Sequence, residues 1–451
     1  MEYLEGLNKL REIEEKYDVM SIKMKGISIW PYLRIYVFDA MATHKAQEAS
    51  VSAAKFLLKD LFFYNPLRLF KKYDIWNTST RITRKKVGPY FEHHVSGALH
   101  KLGKKVLTIE STEPGITTMK RSEIPEKHIV SNAWFTLLYG GVFFLLKMLP
   151  VRIEGEQIIK DIIADAKIDF DYKSRDKILL AQKWATDILL GITFKPKLLI
   201  IECTYTRMGM VWSAHNHDIP VVEFQHGVIN ANHYAYSPKY HSREFYPDEI
   251  CVYGVEEMKY FQTLGKEFSP KVSMMGLYIL ELSNQVFAKD IFNDYRDKYK
   301  SIIVVAGQTG FEKQLSAFVD KVAERLKDCF FIYIPRREDS SIHFEQPNVK
   351  YVFGVNIYEY LKWCDIHATI SSTTCLEAHY FGKPVIFCDF LGVAKRYYGD
   401  ILEEKNGARY IEDEEGFVSA QKELSEKLFE KKDIFAHQHQ ERLIEIIERY
   451  I

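Results

Sequence analysis

Cysteine is scarce and irregular: Cys203, Cys251, Cys329, Cys364, Cys375 and Cys388 are six in 451 residues, with no CxxC and no ligand-like spacing. Most sit in apolar runs, so they read as reduced core thiols, which argues against a disulfide scaffold or a zinc site. Net charge is missing as well. Lys+Arg and Asp+Glu balance at 61 each, so no overall basic field points to nucleic acid. The most apolar window, FTLLYGGVFFLLKMLP (135–150), carries two glycines, Lys147 and Pro150 and is short for a bilayer span, so a buried or interfacial helix is expected. The first residues, MEYLEGLNKLREIEEKYDV, lack a basic stretch followed by an apolar one, and no secretory signal is expected. The sequence has no internal repeat and no low-complexity tract. What is present is a chain 47% hydrophobic and 27% charged, globular in composition and long enough for two domains, expected in the cytoplasm.

The first sixty residues read as helices: SIKMKGISIWPYLRIYVFDAM and VSAAKFLLKDLFF have apolar positions at helical spacing. YDIWNTS (73–79) predicts a strand, GPYFEHHVSGALHKLGKK a helix ending near Gly103, and VLTIES another strand. After a helical middle (134–190), KLLIIEC, IPVVEFQHG and EICVYG are nearly unbroken apolar strands, with a helix over YTRMGMVWSAHNHD between the first two. A second series follows a polar, helix-prone stretch at 283–300: SIIVVAG, CFFIYIP, NVKYVFG, IHATIS and PVIFCDF as strands, with helices between them. Unbroken apolar strands alternating with helices predict parallel sheets covered on both faces. The expected fold class is α/β, with two Rossmann-like domains facing a cleft and extra N-terminal helices. The boundary falls within 276–300. We expect one domain over 1–280, a second over 281–435, and a last helix over 436–451 that packs back across the cleft.

The most informative stretch is ATISSTTCLEAHYFGKPVIF (368–387). Thr374 and Glu377 stand in the S/T-x-x-E relation of a capping box, and Gly382 sits where a helix terminator belongs. One reading is therefore a helix cap. The other uses the same geometry: a helix start at the carboxyl end of a parallel strand offers free amides to an anion. Ser371, Ser372 and Thr373 add hydroxyl donors, and Glu377 can accept from a ribose diol. Phosphate plus ribose means a nucleotide. Gly307, Gln308, Thr309 and Gly310 end another strand just before a helix, either as a second phosphate or sugar contact or as a plain glycine turn. Arg336–Arg337 end a third strand, where an arginine can clamp a diphosphate or stay solvated.

This segment resembles the donor-binding segment of GT-B glycosyltransferases and of UDP-N-acetylglucosamine 2-epimerases, where a small Ser/Thr/Gly turn precedes a glutamate-bearing helix and a GKPVI-like strand. It also resembles the serine-rich motif of bacterial sialyl- and polysialyltransferases. The Ser-Ser-Thr-Thr turn departs from the Gly-Gly usual in the 2-epimerases. The His-Pro pair common at the 336 position in capsule-type transferases is absent, leaving the nucleobase open. Gln225-His226-Gly227, at the end of VVEFQHGVINANHY, resembles the QHG and HG segments of capsule, teichoic-acid and lipopolysaccharide transferases. A histidine at a strand's carboxyl end can take a proton from an acceptor hydroxyl, or it can merely order the loop. Glu202 is a rival base by position, or it orients the acceptor or holds His226. Glu223 reads as a paired core carboxylate. His233, Tyr234 and Tyr236 read as a sugar-stacking surface or as loop packing.

HNHD (215–218) and EHH (92–94) lack metal-site spacing, and no metal is expected. Two basic patches, Arg81/Arg84/Lys85/Lys86 and Arg68/Lys71/Lys72, the latter among Leu57, Leu58, Phe62 and Phe70, suit either an anionic membrane or a solvated edge. The resemblance implies a Kdo-, sialyl- or polyol-phosphate-transferase-like enzyme of GT-B form, peripheral on the inner face of the cytoplasmic membrane. It implies a UDP-, GDP-, dTDP- or CMP-linked sugar donor held by the domain over 281–435 and a carbohydrate or lipid-linked glycan acceptor held by the domain over 1–280, with His226 or Glu202 as base. Its rivals are a CDP-polyol phosphotransferase, a 2-epimerase-like enzyme and a non-catalytic carbohydrate-binding protein.

Overall fold

A computed structural model of the protein describes residues 3–42, 59–111, 119–265, 268–308, 310–390 and 392–451. The first half runs through α1 (Tyr3–Lys16), the hairpin β1 (Lys23–Met24) and β2 (Ile27–Ser28), α2 (Trp30–Met41), β3 (Ile75–Thr80), the hairpin β4 (Arg84–Val87) and β5 (Tyr90–His93), and β6 (Val106–Ser111). It continues with β7 (Ile129–Ser131), α3 (Ala133–Lys147), α4 (Glu156–Ala166), α5 (Tyr172–Ile192), β8 (Leu198–Ile201), α6 (Met208–Asn216) and β9 (Val221–Phe224). β10 (Glu249–Val252), α7 (Val255–Thr263), β11 (Lys271–Met274) and α8 (Tyr278–Val286) complete it. The second half has α9 (Asn293–Arg296), β12 (Ser301–Ala306), α10 (Glu312–Arg325), β13 (Cys329–Ile334), β14 (Val349–Tyr351), α11 (Ile357–Trp363), β15 (Ile366–Thr369) and α12 (Thr374–Tyr380). It ends with β16 (Val385–Cys388), α13 (Val393–Tyr398), β17 (Ala408–Ile411), α14 (Glu414–Glu426) and α15 (His439–Glu448).

Two parallel sheets organise these elements. The first has seven strands in the order β11-β10-β9-β8-β3-β6-β7, the second six in the order β14-β13-β12-β15-β16-β17. Most strand residues are buried, as a sheet covered on both faces requires. The expected α/β class with two facing Rossmann-like halves is borne out. In each sheet the strand order reverses once, between β3 and β8 and between β12 and β15. Such reversals leave a crevice at the carboxyl ends of the strands.

One expectation needs correction, one lies partly outside the described residues, and some elements went unread. The helix over 88–103 is a β-hairpin followed by a short 3-10 turn, Gly97–Lys101. Gly88-Pro89 makes the hairpin turn, with Gly88 at φ +60, a conformation glycine adopts without strain. Of the stretch 51–63, residues 51–58 lie outside those described, Leu57 and Leu58 among them. Strands β11 and β17 and helix α14 went unread, because β11 and β17 are short, polar-flanked edge strands.

After α14 the chain returns to the first sheet. Ala436 N donates to Tyr253 O at 2.8 Å, and Tyr450 OH donates to Glu249 Oε2 at 2.8 Å. The returning backbone passes so close to Gly254 and Gly276 that a Cβ on either would collide with the carbonyl oxygens of Ile434 and Ala436.

Candidate functional site

The crevices of the two sheets face each other around a cavity of about 350 Å³. One wall comes from the first half: Arg81 and Arg84 after β3, Lys85 and His94 on the β4–β5 hairpin, and His226 after β9. The opposite wall is Gly307 after β12, Arg336 after β13, Tyr358 of α11, and Ser372, Thr373, Thr374 and Glu377 around the start of α12. Asn356 Nδ2 ties the walls together by donating to Lys86 O at 2.7 Å.

The hydroxyl-rich turn is not a capping box. The N-cap of α12 is Thr373 and its side chain makes no capping bond. Thr374 is engaged elsewhere. His367 is buried and its Nδ1 donates to Val304 O at 2.9 Å, so its Nε2 needs a donor, which the Thr374 hydroxyl supplies at 2.9 Å. Burial holds this imidazole neutral, its pKa lowered to about 4. Glu377 is thereby freed from the cap. Its carboxylate is buried at the cavity wall, with Oε1 3.7 Å from His94 Nε2 across the cleft. The turn's remaining bonds are local: Thr374 N lies 3.4 Å from Ser372 Oγ, and Cys375 N donates to Ser372 O. Ser372 and Thr373 line the cavity, whereas Ser371 does not; its carbonyl accepts from Tyr398 OH at 3.0 Å.

The positive charge of the cavity comes from both sides. The Lys85 ammonium makes no hydrogen bond or ion pair among the described residues, and its pKa is lowered by burial and by Arg336, against a raising pull from Glu377. Arg336 is exposed at the mouth. Gln308 follows Gly307 at the end of β12, its carbonyl accepting from Phe311 N at 3.0 Å; Thr309 lies outside the described residues.

Arg81 and Arg84, expected on a surface patch, are buried and fixed by Glu110. Arg81 Nε donates to Glu110 Oε1 at 2.7 Å and Arg84 Nε to Oε2 at 2.5 Å, while Arg84 also reaches Glu126 at 2.9 Å. Burial raises the pKa of Glu110, and the two guanidiniums overcome it, holding the group at about 2. The network braces the base of the hairpin that carries Lys85 and His94.

His226 lines the cavity. Burial pushes its pKa down to about 4, against the pull of the Glu202 carbonyl, so it is neutral at neutral pH. Its buried Nδ1 has no hydrogen-bond partner among the described residues. Gln225 is spent on the turn: its Nε2 donates to Gly227 O and Glu257 Oε1, and its Oε1 accepts from Tyr253 N. The Glu202 side chain is set behind the wall, its Oε1 3.1 Å from His93 Nε2, and burial raises its pKa to about 8. Glu223 is a paired core carboxylate, accepting from Thr204 and Tyr236. The aromatic residues after it pack the loop: Tyr234 stacks on Phe38 with centroids 4.3 Å apart.

From sequence, Lys85 reads only as part of a basic patch and His94 only as part of a rejected metal motif, and Tyr358 is not singled out. The signal available was the Gly88-Pro89 turn, which marks a hairpin in place of a helix. His215 and His217 pair with Asp248 and Asp187. Among the described residues no group of three His, Cys, Asp or Glu is placed to share a metal ion.

No model of a known family matches the chain, and no curated protein does. Solved structures match it along most of its length. The fold is GT-B-like. S. aureus MnaA in a co-structure with UDP has a TM-score of 0.52 and 14% identity, covering 84% of this chain and 97% of that one. The kitacinnamycin glycotransferase has a TM-score of 0.51 at 12% identity, over 84% and 98%. The UDP-GlcNAc 2-epimerase from Methanocaldococcus jannaschii stands at 0.49 and 12%, over 83% and 99%. At these identities the likeness to the first two fixes the fold and nothing finer.

Proposed function

We propose that the chain is a nucleotide-sugar-dependent glycosyltransferase that extends a bacterial surface polysaccharide or lipopolysaccharide. One observation carries this reading: Lys85 and Arg336, from opposite walls, bring like charge to one cavity with no ion-pair partner of their own among the described residues. A diphosphate placed between them gains two charge-assisted contacts. Ser372 and Thr373 supply hydroxyl donors beside it. Glu377 accepts from sugar or ribose hydroxyls, oriented by His94.

In the transfer step the acceptor hydroxyl gives its proton to His226 and its oxygen bonds the anomeric carbon. The bond from that carbon to phosphate breaks, and the departing nucleotide keeps the electron pair. Lys85 and Arg336 neutralise the charge as it develops, which is where electrostatic catalysis acts. Glu202 serves as a positioning residue, its carbonyl beside the His226 ring.

A second reading is 2-epimerisation of a UDP sugar, favoured by the facing of His94 and Glu377 at 3.7 Å, since an imidazole and a carboxylate around one sugar suit proton removal and return. Product analysis after incubation with UDP-, GDP-, dTDP- and CMP-sugars and with CDP-glycerol, with and without a glycan acceptor, separates the readings. Acceptor-dependent sugar transfer supports the first. Interconversion of the free nucleotide sugar supports the second, polyol-phosphate transfer a third, and nucleotide binding without turnover overturns all three.

A further inference from the structure

No described helix is long and apolar enough to cross a membrane, yet one face of the first half is strongly apolar and open. Sixteen large apolar side chains are exposed among the described residues, and eleven of them fall in three segments, 61–73, 127–153 and 188–201. Phe62 is 72% exposed, Met148 68%, Leu67 67% and Phe144 66%. Scattered singly, exposed apolar groups are ordinary; gathered on one surface, they mark a site of contact.

The three segments are neighbours. Leu69, Phe135, Leu189 and Leu190 share one buried cluster beneath them. Phe62 packs edge-on against Trp134 at 5.9 Å, and Trp134 Nε1 donates to Leu61 O at 3.0 Å. α3 lies along α5, with Lys177 Nζ 3.2 Å from Lys147 O. α3 buries Ala133, Phe135, Val142 and Leu146 and turns Leu137, Phe144 and Leu145 outward. Gly140 and Gly141, on the outward side, have open space where a Cβ would stand. The helix is therefore covered on one side and bare on the other.

Charge identifies what covers it. The three segments contain eight basic residues, Arg68, Lys71, Lys72, Lys127, Lys147, Arg152, Lys195 and Lys197, and are bounded by six carboxylates, Asp60, Asp74, Glu126, Glu154, Asp187 and Glu202. Asp60, Glu126 and Glu202 are buried, Asp74 pairs with Lys197 and Asp187 with Lys183, and Glu154 is exposed, so the charge left on this face is predominantly basic. Its field reaches His128, whose pKa is lowered by burial and then by Arg68, Lys71, Lys127 and Lys105. Bulky apolar groups flanked by an excess of lysine and arginine match an anionic lipid surface, where rings enter the acyl boundary and cations sit at headgroups.

We propose that this face, formed by α3, the turn at Leu67–Phe70 and the end of α5, docks the protein peripherally on an anionic lipid bilayer. α3 lies in the interface plane. The docking stands independently of the reaction carried out in the cleft.

The test is co-sedimentation of the full chain with vesicles of phosphatidylcholine alone and of phosphatidylcholine mixed with phosphatidylglycerol. Two variants accompany it: F144Q/L145Q/M148Q, which alters only side chains already in solvent, and K71E/K72E. Binding is expected on the anionic vesicles, weak on the neutral ones and diminished by salt. Each variant is expected to weaken it by about tenfold or more. Sedimentation velocity of the free protein covers the competing occupant. Absence of binding to anionic vesicles overturns the proposal, as does binding unchanged in both variants. So does a dimer in solution that F144Q/L145Q/M148Q converts to monomer, because the face then belongs to a second copy.

Discussion

His94 Nε2 and Glu377 Oε1 stand 3.7 Å apart, one directly after the β4–β5 hairpin of the first half and the other on α12 of the second. The pair spans the cleft, so it exists only while the two halves are closed on each other. Glu377 is the one carboxylate that the second half presents to the cavity among the described residues.

Replacing that carboxylate isolates its role. Glu377→Gln keeps the shape and removes the charged acceptor. A charge-assisted hydrogen bond is worth roughly 1.5–3 kcal/mol, so nucleotide affinity is expected to fall about 10- to 100-fold by calorimetric titration. An unchanged affinity would confine Glu377 to holding the halves together.

His226→Ala is expected to cost about 10²–10⁴-fold in turnover, the usual worth of a general base, while nucleotide affinity stays the same. The pH profile adds a sign. With its pKa lowered to about 4, the imidazole is neutral and able to accept a proton well below the ordinary histidine range. The acidic limb of kcat/KM is expected near pH 4, away from pH 6.5. A limb at 6.5 would place the base elsewhere.

Much of this was readable beforehand, and the exceptions share a cause. KLLIIEC, SIIVVAG and CFFIYIP announced buried parallel strands because both faces are apolar. QHG and the hydroxyl turn were readable because each follows such a strand, and strand ends are where parallel sheets place ligands. What could not be read depends on partners far along the chain. Arg84 looked like surface charge until Glu110 and Glu126 enclosed it. Thr374 looked like a cap until His367 took its hydroxyl. Lys85 and His94 reach the cavity only because 84–93 folds as a hairpin, a pattern that the charged RKK run obscured.

The buried network gives a stability prediction. Arg84→Met leaves Glu110 and Glu126 short of a counter-charge, and removing one partner from a buried ion network costs about 3–5 kcal/mol. Urea unfolding is expected to show a loss of that size. A loss under about 1 kcal/mol would mean that water replaces the guanidinium.

Glu202 gives a pH signature. Its folded pKa is raised to about 8 by burial, above the roughly 4.3 of the unfolded chain. The folded state keeps a proton that the unfolded state releases, so this contribution is full below about pH 4 and is lost as pH rises toward 8. The Tm of wild type relative to Glu202→Gln is therefore expected to decline steadily across that window. A constant difference would mean that Glu202 is ionised in the folded protein.

Nucleotide binding between Lys85 and Arg336 is the claim on which the proposed chemistry rests, and thermal unfolding reads it directly. UDP, GDP, CDP, CMP and dTDP are added in turn to wild type and to Lys85→Ala/Arg336→Ala. Ligand bound to the native state alone raises the Tm. At least one nucleotide is expected to raise the wild-type Tm, and the double variant is expected to lose that rise while keeping its unliganded Tm. No rise with any of the five, or a rise that survives loss of both cations, would contradict the account.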